Sequence, residues 1–364
     1  MATPTPDQLA RSVVATGNTS RIQRVLAKAR LGSPVTIVFL GGSITQGAAA
    51  TLQANRYASL VATWWKQKYP TCALTFINAG IGATGSNYGS FRAQRDVFAS
   101  KPDLVVVEYA CNDGNTPTHE ASYEGLLRQI LTQPQDPAVL LLFMMHEGGT
   151  NDQASESKIG KYYDLPMISY RDALWPDIQA GTIKYADYQA DQVHPRDLGH
   201  AYAANLLTSF LSTCETSSAV AKTSSALPPA LVSTLYEHTH LYEAKDIVPT
   251  RADGWELREG KYWFADKPGS ILECDVDGQS VTLLGWRIKG PMGRIRAQVD
   301  DKAPVTIEGW FAATWGGYMP CELIGSVLTP GMHHVKIELL ADKNPESTGY
   351  EYRIFGLGTA GALK

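Results

Sequence analysis

The stretch Val35-Thr36-Ile37-Val38-Phe39-Leu40-Gly41-Gly42-Ser43-Ile44-Thr45-Gln46-Gly47 begins with six apolar or β-branched residues, then passes through two glycines into a serine. An unbroken run of this kind reads as a strand buried on both faces, as in a parallel sheet. The glycines let the backbone turn sharply at the strand's end. Ligands of open α/β sheets bind at the carboxyl ends of the strands. Ser43 therefore stands at the mouth of a site, with its hydroxyl exposed and its backbone N–H free. It is either a polar helix cap or a nucleophile, if a base and an oxyanion hole occur elsewhere in the chain. No Lys follows a second glycine as a P-loop requires, and the spacing from Gly41-Gly42 to Gly47 does not fit G-x-G-x-x-G. No cofactor is implied.

The chain has 364 residues, enough for two domains. A hydrophobic content of 44% and a charged content of 19% fit a globular protein with a sizeable core. A net charge of −4 and a pI near 6.1 leave no electrostatic footprint for nucleic acid. No stretch is long and apolar enough to span a membrane. Neither nucleic acid nor membrane is expected as a partner, and homo-oligomerisation stays open. Met1 to Asp7 is polar and proline-containing, without the basic and apolar regions of a signal peptide. The expectation is a cytoplasmic protein, or a mature form whose signal has been removed. Cys72, Cys111, Cys214, Cys274 and Cys321 are scattered, with no CxxC and no metal-ligand spacing. That argues against a disulfide framework and a metal site. Cys111 adjoins a polar loop but reads as a small buried residue at a strand end.

Along the chain, residues 18–31 have helical spacing, with Asn18 as cap, and Tyr57 to Tyr69 forms the next helix before Pro70. Strands are expected at Ala73–Asn78, Leu104–Ala110, Val139–Met145 and Met167–Ser169. Helices are expected at Ser122–Leu131 and Arg171–Ile178, and from Pro195 to about Leu211. Strands alternating with helices predict a parallel sheet covered on both faces. Thr213 to Pro229 is rich in Ser, Thr and Ala and reads as a linker. Beyond it, strand-like segments at Ser270–Asp277, Ser280–Lys289, Arg294–Val299, His334–Leu340 and Tyr352–Leu357 alternate with turn residues, predicting an all-β sandwich. The expected domains are 1–212, a linker over 213–230, and 231–364.

Ser43 needs a base, and His194 is the best placed of the eight histidines. It follows Asp191 by three residues and precedes Pro195, a residue favoured at a helix start. A turn can fold the Asp191 carboxylate onto the imidazole and set its tautomer. The alternative for Asp191 is a loop acid near a helix N-terminus. An acyl-transfer site also needs oxyanion donors. Asn112, after the third strand, offers a side-chain N–H; Ser43 offers a backbone N–H; Gly82 or Ala83, in the glycine-rich loop after the second strand, offers another. Each feature alone is a common turn residue. Together they project from one end of one sheet.

This ordered set resembles the SGNH, or GDSL-like, hydrolase family, which carries Ser, Gly, Asn and His in successive blocks. The resemblance spans roughly residues 30–212. Gly41-Gly42-Ser43 matches the first block, with Gly42 where many members have Asp. Asn78-Ala79-Gly80-Ile81-Gly82-Ala83-Thr84 matches the second, its donor falling at Gly82 or, by strict spacing from Asn78, at Ala83. Ala110-Cys111-Asn112-Asp113 matches the third with Ala110 replacing Gly, and Asp191-Gln192-Val193-His194 matches the last. The resemblance implies a flavodoxin-like three-layer α/β/α domain and a metal-free serine esterase mechanism with Ser43, His194 and Asp191 as triad. The second domain resembles the sandwich modules, jelly-roll-like, attached to carbohydrate acetylesterases of this family. Acetylated carbohydrate is therefore the expected substrate. A general short-chain esterase or thioesterase, and an inactive carbohydrate-binding protein, are the alternatives.

Trp255, Tyr262, Trp263, Trp286, Trp310, Trp315 and Tyr318 cluster in the second domain, four of them expected in its core and Trp310, Trp315 and Tyr318 exposed. Arg92, Arg95 and Asp96 follow the glycine-rich loop and read as a solvated helix face by default, or as a tie between that loop and the sheet. His119, His146 and Glu147 lie on loops near the expected mouth of the site.

Overall fold

A computed structural model of the chain describes residues 3–216 and 226–361. Among these, residues 3–89 with 93–233 form one compact unit, and 90–92 with 234–361 the other. The first unit runs α1 (Pro6–Ser12), β1 (Val13–Ala15), α2 (Ser20–Arg30), β2 (Val35–Gly41), α3 (Ser43–Gln46), α4 (Tyr57–Lys68), β3 (Leu74–Gly80), α5 (Ser86–Asp96), β4 (Leu104–Glu108), α6 (Pro117–Leu131), β5 (Ala138–Phe143), α7 (Gln153–Tyr162), β6 (Met167–Ser169), α8 (Tyr170–Gln179), α9 (Tyr185–Tyr188) and α10 (Asp197–Thr216).

The sheet order is β1-β6-β5-β4-β2-β3, parallel from β2 to β6. Without β1 this is the flavodoxin-like order, whose switch point lies between its first and third strands, here β2 and β4. Successive residues of each strand point to opposite faces, which produces the three layers. Ile37 and Phe39 of β2 pack with Ile22 of α2, Trp65 of α4 and Leu207 of α10. Val38 and Leu40 pack with Leu126 of α6 and Ile159 of α7 on the other face. Gly41 pairs with Gly80 on one side and Glu108 on the other. The ends of β2, β3 and β4 are thus level, and the loops that follow them emerge side by side.

Several sequence expectations are corrected. The sheet is not wholly parallel: β1 runs antiparallel to β6, a strand too short to leave a periodic signal. The helix expected over 18–31 is α2 and starts at Ser20; the Asn18 side chain accepts from Ser20 N at 3.1 Å, but the cap position is Thr19. α6 begins five residues earlier than its apolar spacing suggests, because Thr116 caps it and Pro117 opens it. α5 and α7 were not expected. Pro195 does not open α10; it pairs with Gln189 in an isolated bridge, and the helix starts at Asp197. Of the expected linker, 213–216 continue α10, and 217–225 lie outside the described residues. After them the chain stays with the first unit. Arg128 donates to Pro228 O at 2.7 Å, and Glu124 accepts the N–H groups of Leu231, Val232 and Ser233 at 2.6, 2.7 and 2.9 Å.

The second unit holds β7 (Thr239–Glu243), β8 (Pro249–Asp253), β9 (Glu256–Arg258), β10 (Tyr262–Ala265), β11 (Ile271–Asp277), β12 (Ser280–Gly285), β13 (Arg294–Val299), β14 (Val305–Glu308), β15 (Cys321–Gly325), β16 (Met332–Leu339) and β17 (Tyr352–Ala360). They form two antiparallel sheets, β15-β12-β17-β10-β9 with β7 on β17, and β14-β13-β16-β11-β8. Ile295, Ala297 and Val299 alternate with Arg294, Arg296 and Gln298 along β13; the apolar set meets Val281, Leu283 and Leu357 of the other sheet. That alternation is what a sandwich core requires. β8 and β9, absent from the sequence reading, are largely polar and carry no alternation.

Under the loops of the first sheet lie buried acids. Glu108 ends β4 fully buried, with Thr45 Oγ1 donating to it at 3.1 Å and the Tyr57 hydroxyl 2.7 Å from Thr45 Oγ1. Burial, reinforced by Asp113 and opposed by the Thr45 bond, pushes the Glu108 carboxyl up to about 8. Burial also raises Asp113 and Glu156. The folded protein holds the Glu108 proton more tightly than the unfolded chain does. Its contribution is therefore largest below the ordinary value of 4.5 and declines as pH rises toward 8. Urea titrations at several pH values should show wild type losing stability relative to Glu108→Gln across this window, by up to ~1.4 kcal/mol per pH unit; parallel profiles would refute the assignment. In the sheet interior, Leu140→Ala should cost about 2–5 kcal/mol in the same titration, since Leu140 is fully buried on β5.

Candidate active site

Ser43 is the first residue of α3, directly after the β2 turn. The turn is too crowded for side chains. A Cβ on Gly41 would lie 2.2 Å from Thr45 Oγ1, and one on Gly42 would lie 1.9 Å from Asn112 Oδ1. The space that an Asp at residue 42 would take in the family pattern is filled by Asn112. Asn78 ties the nucleophile turn to β3: its Nδ2 donates to Thr45 O at 2.7 Å, and its Oδ1 accepts from Gly80 N at 3.0 Å.

His194 and Asp191 sit in the loop between α9 and α10. Ala190 N donates to His194 O at 2.8 Å, and Arg196 N to Tyr188 O at 2.8 Å. The Arg196 Nε also bonds the carbonyls of Ala186 and Gln189. Within this clamp Asp191 Oδ1 accepts from Val193 N and His194 N, both at 2.8 Å, and Oδ2 lies 2.8 Å from His194 Nδ1. His194 Nε2 is 2.9 Å from Ser43 Oγ. Partial burial by itself would raise the Asp191 carboxyl. The bonds from the His194 ring and from the two N–H groups outweigh it and hold the group below its ordinary value. A carboxylate held ionised this way keeps Nδ1 protonated and leaves Nε2 to accept from Ser43.

The expected oxyanion donors surround the same point. Asn112 follows β4 in a turn closed by its own N–H to Tyr109 O at 2.7 Å, and its Nδ2 has no acceptor among the described residues. Gly82 lies against the nucleophile, its notional Cβ 3.7 Å from Ser43 Cβ. Ala83 has φ +56°, a left-handed conformation uncommon for a residue with a side chain. Neither Gly82 nor Ala83 donates its N–H to an acceptor among the described residues. Asp113 braces this loop from β4 by accepting from Ser86 N at 2.7 Å.

The remaining candidates resolve differently. Cys111 is buried, and burial raises its thiol well above the ordinary range, so it is not an available thiolate. His119 holds its own loop: its Nδ1 accepts from Gly114 N at 3.1 Å and lies 3.0 Å from Thr116 Oγ1. His146 and Glu147 stay on the loop after β5, where Glu147 N donates to Gln192 O at 2.7 Å beside the His194 loop. Arg92 is fully buried, contrary to the expected solvated face, while Arg95 pairs with its neighbour Asp96 at 2.6 Å. Thr45, Asn78 and Glu108 support the turn in roles that were not expected; Asn78 opens the second block, and Thr45 and Glu108 lie close to blocks.

The loop 48–56 is pinned to α10. Asp197 accepts from Thr51 N at 2.8 Å and from Asn55 Nδ2 at 2.8 Å. His200 Nδ1 accepts from Tyr57 N at 3.3 Å, and its Nε2 lies 3.1 Å from Ala48 O. Burial lowers His200, so its ring stays neutral.

In the second unit the aromatic residues divide otherwise than expected. Trp255 and Trp263 are buried, but Tyr262 and Trp286 are only half-buried, flanking Phe355 at 5.4 and 5.6 Å. Alternation explains it: Ile354 enters the core, so Phe355 faces away. Trp315 is 62% exposed, while Trp310 and Tyr318 are half-buried. Phe311, Trp315 and Tyr318 form a ring cluster with centroids 5.0–5.6 Å apart.

Residues 39–202 match the GDSL-like lipase/acylhydrolase family. Over 204 residues the chain is 24% identical to an acetylxylan esterase of Geobacillus stearothermophilus, covering 48% of this chain and 93% of that protein. Its fold is similar to the crystal structure of a two-domain esterase active on acetylated mannans, with TM-score 0.90, 29% identity, and coverage of 98% of this chain and 99% of that one. A second crystal structure of such an esterase, co-crystallised with mannopentaose, gives TM-score 0.89, 29% identity and 98% coverage of both chains. Block order, sheet topology and these matches agree: residues 39–202 carry the GDSL-like lipase/acylhydrolase pattern, and the chain is an ester hydrolase.

Proposed function

We propose that the chain removes O-acetyl groups from carbohydrate through an acyl-enzyme intermediate. The observation that carries this is the hydrogen-bond chain from Ser43 Oγ through His194 to Asp191, at 2.9 and 2.8 Å. Ser43 Oγ attacks the ester carbonyl carbon while His194 Nε2 takes its proton. Asp191 stabilises the imidazolium. Asn112 Nδ2, the Ser43 N–H and the N–H of Gly82 or Ala83 hold the oxyanion. The carbon–oxygen bond to the sugar then breaks, and His194 returns the proton to the departing hydroxyl. Water next loses a proton to His194 and attacks the acyl carbon, releasing acetate and regenerating Ser43.

Similarity over both units to an esterase active on acetylated mannans, and over the first to an acetylxylan esterase, supports an acetylated carbohydrate as substrate. The Phe311–Trp315–Tyr318 cluster, half-buried but for the exposed Trp315, offers apolar ring faces of the kind that stack on sugars. A general short-chain esterase would use the same relay on a smaller ester. The aligned relay speaks against an inactive binding protein.

Acetate release from acetylated manno- and xylo-oligosaccharides should fall about a thousandfold or more in Ser43→Ala. Asn112→Ala should lower kcat by ~10²–10³. Release that survives Ser43→Ala would refute the nucleophile. Ser43-dependent cleavage of p-nitrophenyl acetate with none of the oligosaccharides would refute the carbohydrate.

A further inference from the structure

Arg56 stands apart from other arginines of the first unit. Arg11, Arg21, Arg24 and Arg171 pair with carboxylates, and Arg128 and Arg196 are held by oxygen acceptors. The Arg56 guanidinium has no hydrogen-bond or ion-pair partner among the described residues, and its Nε is buried without one. An unpaired buried donor is costly; the Nε is enclosed, and the terminal nitrogens of the half-buried side chain, without a partner among the described residues, are the ones an acceptor from outside the chain can reach.

The side chain is held in place. It lies across Gly47, whose notional Cβ would be 2.2 Å from Arg56 Cδ and 2.5 Å from Nε. Gly47, at φ +98°, closes α3 and donates its N–H to Ser43 O at 3.0 Å. At 1.5 Å rise per residue, Gly47 lies ~6 Å along the helix axis from Ser43. On the other side, Tyr57 N donates to His200 Nδ1, on the helix that starts just after His194. The guanidinium therefore flanks both the nucleophile turn and the segment carrying the base.

We propose that Arg56 anchors the sugar that bears the ester, donating hydrogen bonds to neighbouring hydroxyl or ring oxygens of the leaving alcohol; this rests on the carbohydrate-ester reading above. The leaving oxygen must reach His194 Nε2 to receive its proton, which brings the attached ring over the same turn. A planar guanidinium presents parallel donors to two adjacent oxygens. An aryl acetate has no hydroxyls beside its ester and forgoes these bonds.

The test compares neutral acetylated manno- and xylo-oligosaccharides with p-nitrophenyl acetate in wild type, Arg56→Met and Arg56→Lys. Arg56→Met should raise KM for the oligosaccharides by ~10–100-fold, as expected for lost hydrogen bonds to a charged group, with kcat changed far less. The ratio of oligosaccharide to aryl-acetate kcat/KM should fall by about tenfold or more, and Arg56→Lys, which keeps the charge but not the fork, should recover part of it. If Arg56 merely buttresses the Ser43 turn, both substrates decline in step, the ratio does not move, and the anchor is overturned. Should Arg56→Met not fold, Arg56→Lys decides the matter: a lowered ratio supports the anchor and an unmoved one overturns it. Wild type that cleaves p-nitrophenyl acetate but no acetylated oligosaccharide overturns the carbohydrate reading and the anchor together. Oligosaccharide cleavage with an unmoved ratio overturns the anchor alone.

Discussion

A Cβ at residue 42 would sit 1.9 Å from Asn112 Oδ1, and one at residue 80 would sit 2.1 Å from the backbone nitrogen of Gln46. The turns after β2 and β3 pack so closely that a side chain at residue 42 or 80 has no room. This crowding makes the site. A parallel sheet in register puts Gly41, Gly80 and Glu108 abreast, and removal of side chains there lets the following turns touch. Ser43, Gly82 and Asn112 then converge on one point, although they lie far apart in sequence. A bulkier residue at 42 would have to displace the Asn112 side chain.

Two carboxylates near this point show how environment sorts identical chemistry. Asp191 is 53% exposed at its side chain and receives bonds from two backbone N–H groups and an imidazole, so it stays ionised below its ordinary range. Glu108 is fully buried with one hydroxyl donating to it, so it keeps its proton to about pH 8. The first places a charge beside the His194 ring. The second is a neutral strut linking β4 to Thr45, two residues beyond Ser43.

Preorganisation comes from loops tied in more than one way. The His194 segment is closed on itself by Ala190 and Arg196. The 48–56 loop is fastened to α10 by Asp197 and His200. Catalysis by positioned donors depends on their being in place before charge develops, and these ties supply that order without burying the Ser43–His194 pair.

Local sequence was sufficient for much of this. The apolar run ending in Gly41-Gly42-Ser43 determined a buried strand and a sharp turn, because six consecutive apolar or β-branched residues cannot face water. Asp191 and His194, three residues apart, determined their own contact, because an Asx-type turn brings a carboxylate back onto the following N–H groups. Only the tertiary structure decided what meets across the chain. The unexpected roles of Thr45, Asn78 and Glu108 arise from the level ends of three strands, which no local pattern encodes. Arg92 looked like a surface residue and is buried, and Tyr262 and Trp286 looked like core and are not, since strand phase and helix facing set burial. Polar β8 and β9 form strands because hydrogen bonding to neighbours, not periodicity, recruits them. That Arg56 lacks a partner among the described residues is visible only in the folded chain, because its neighbours come from segments distant in sequence.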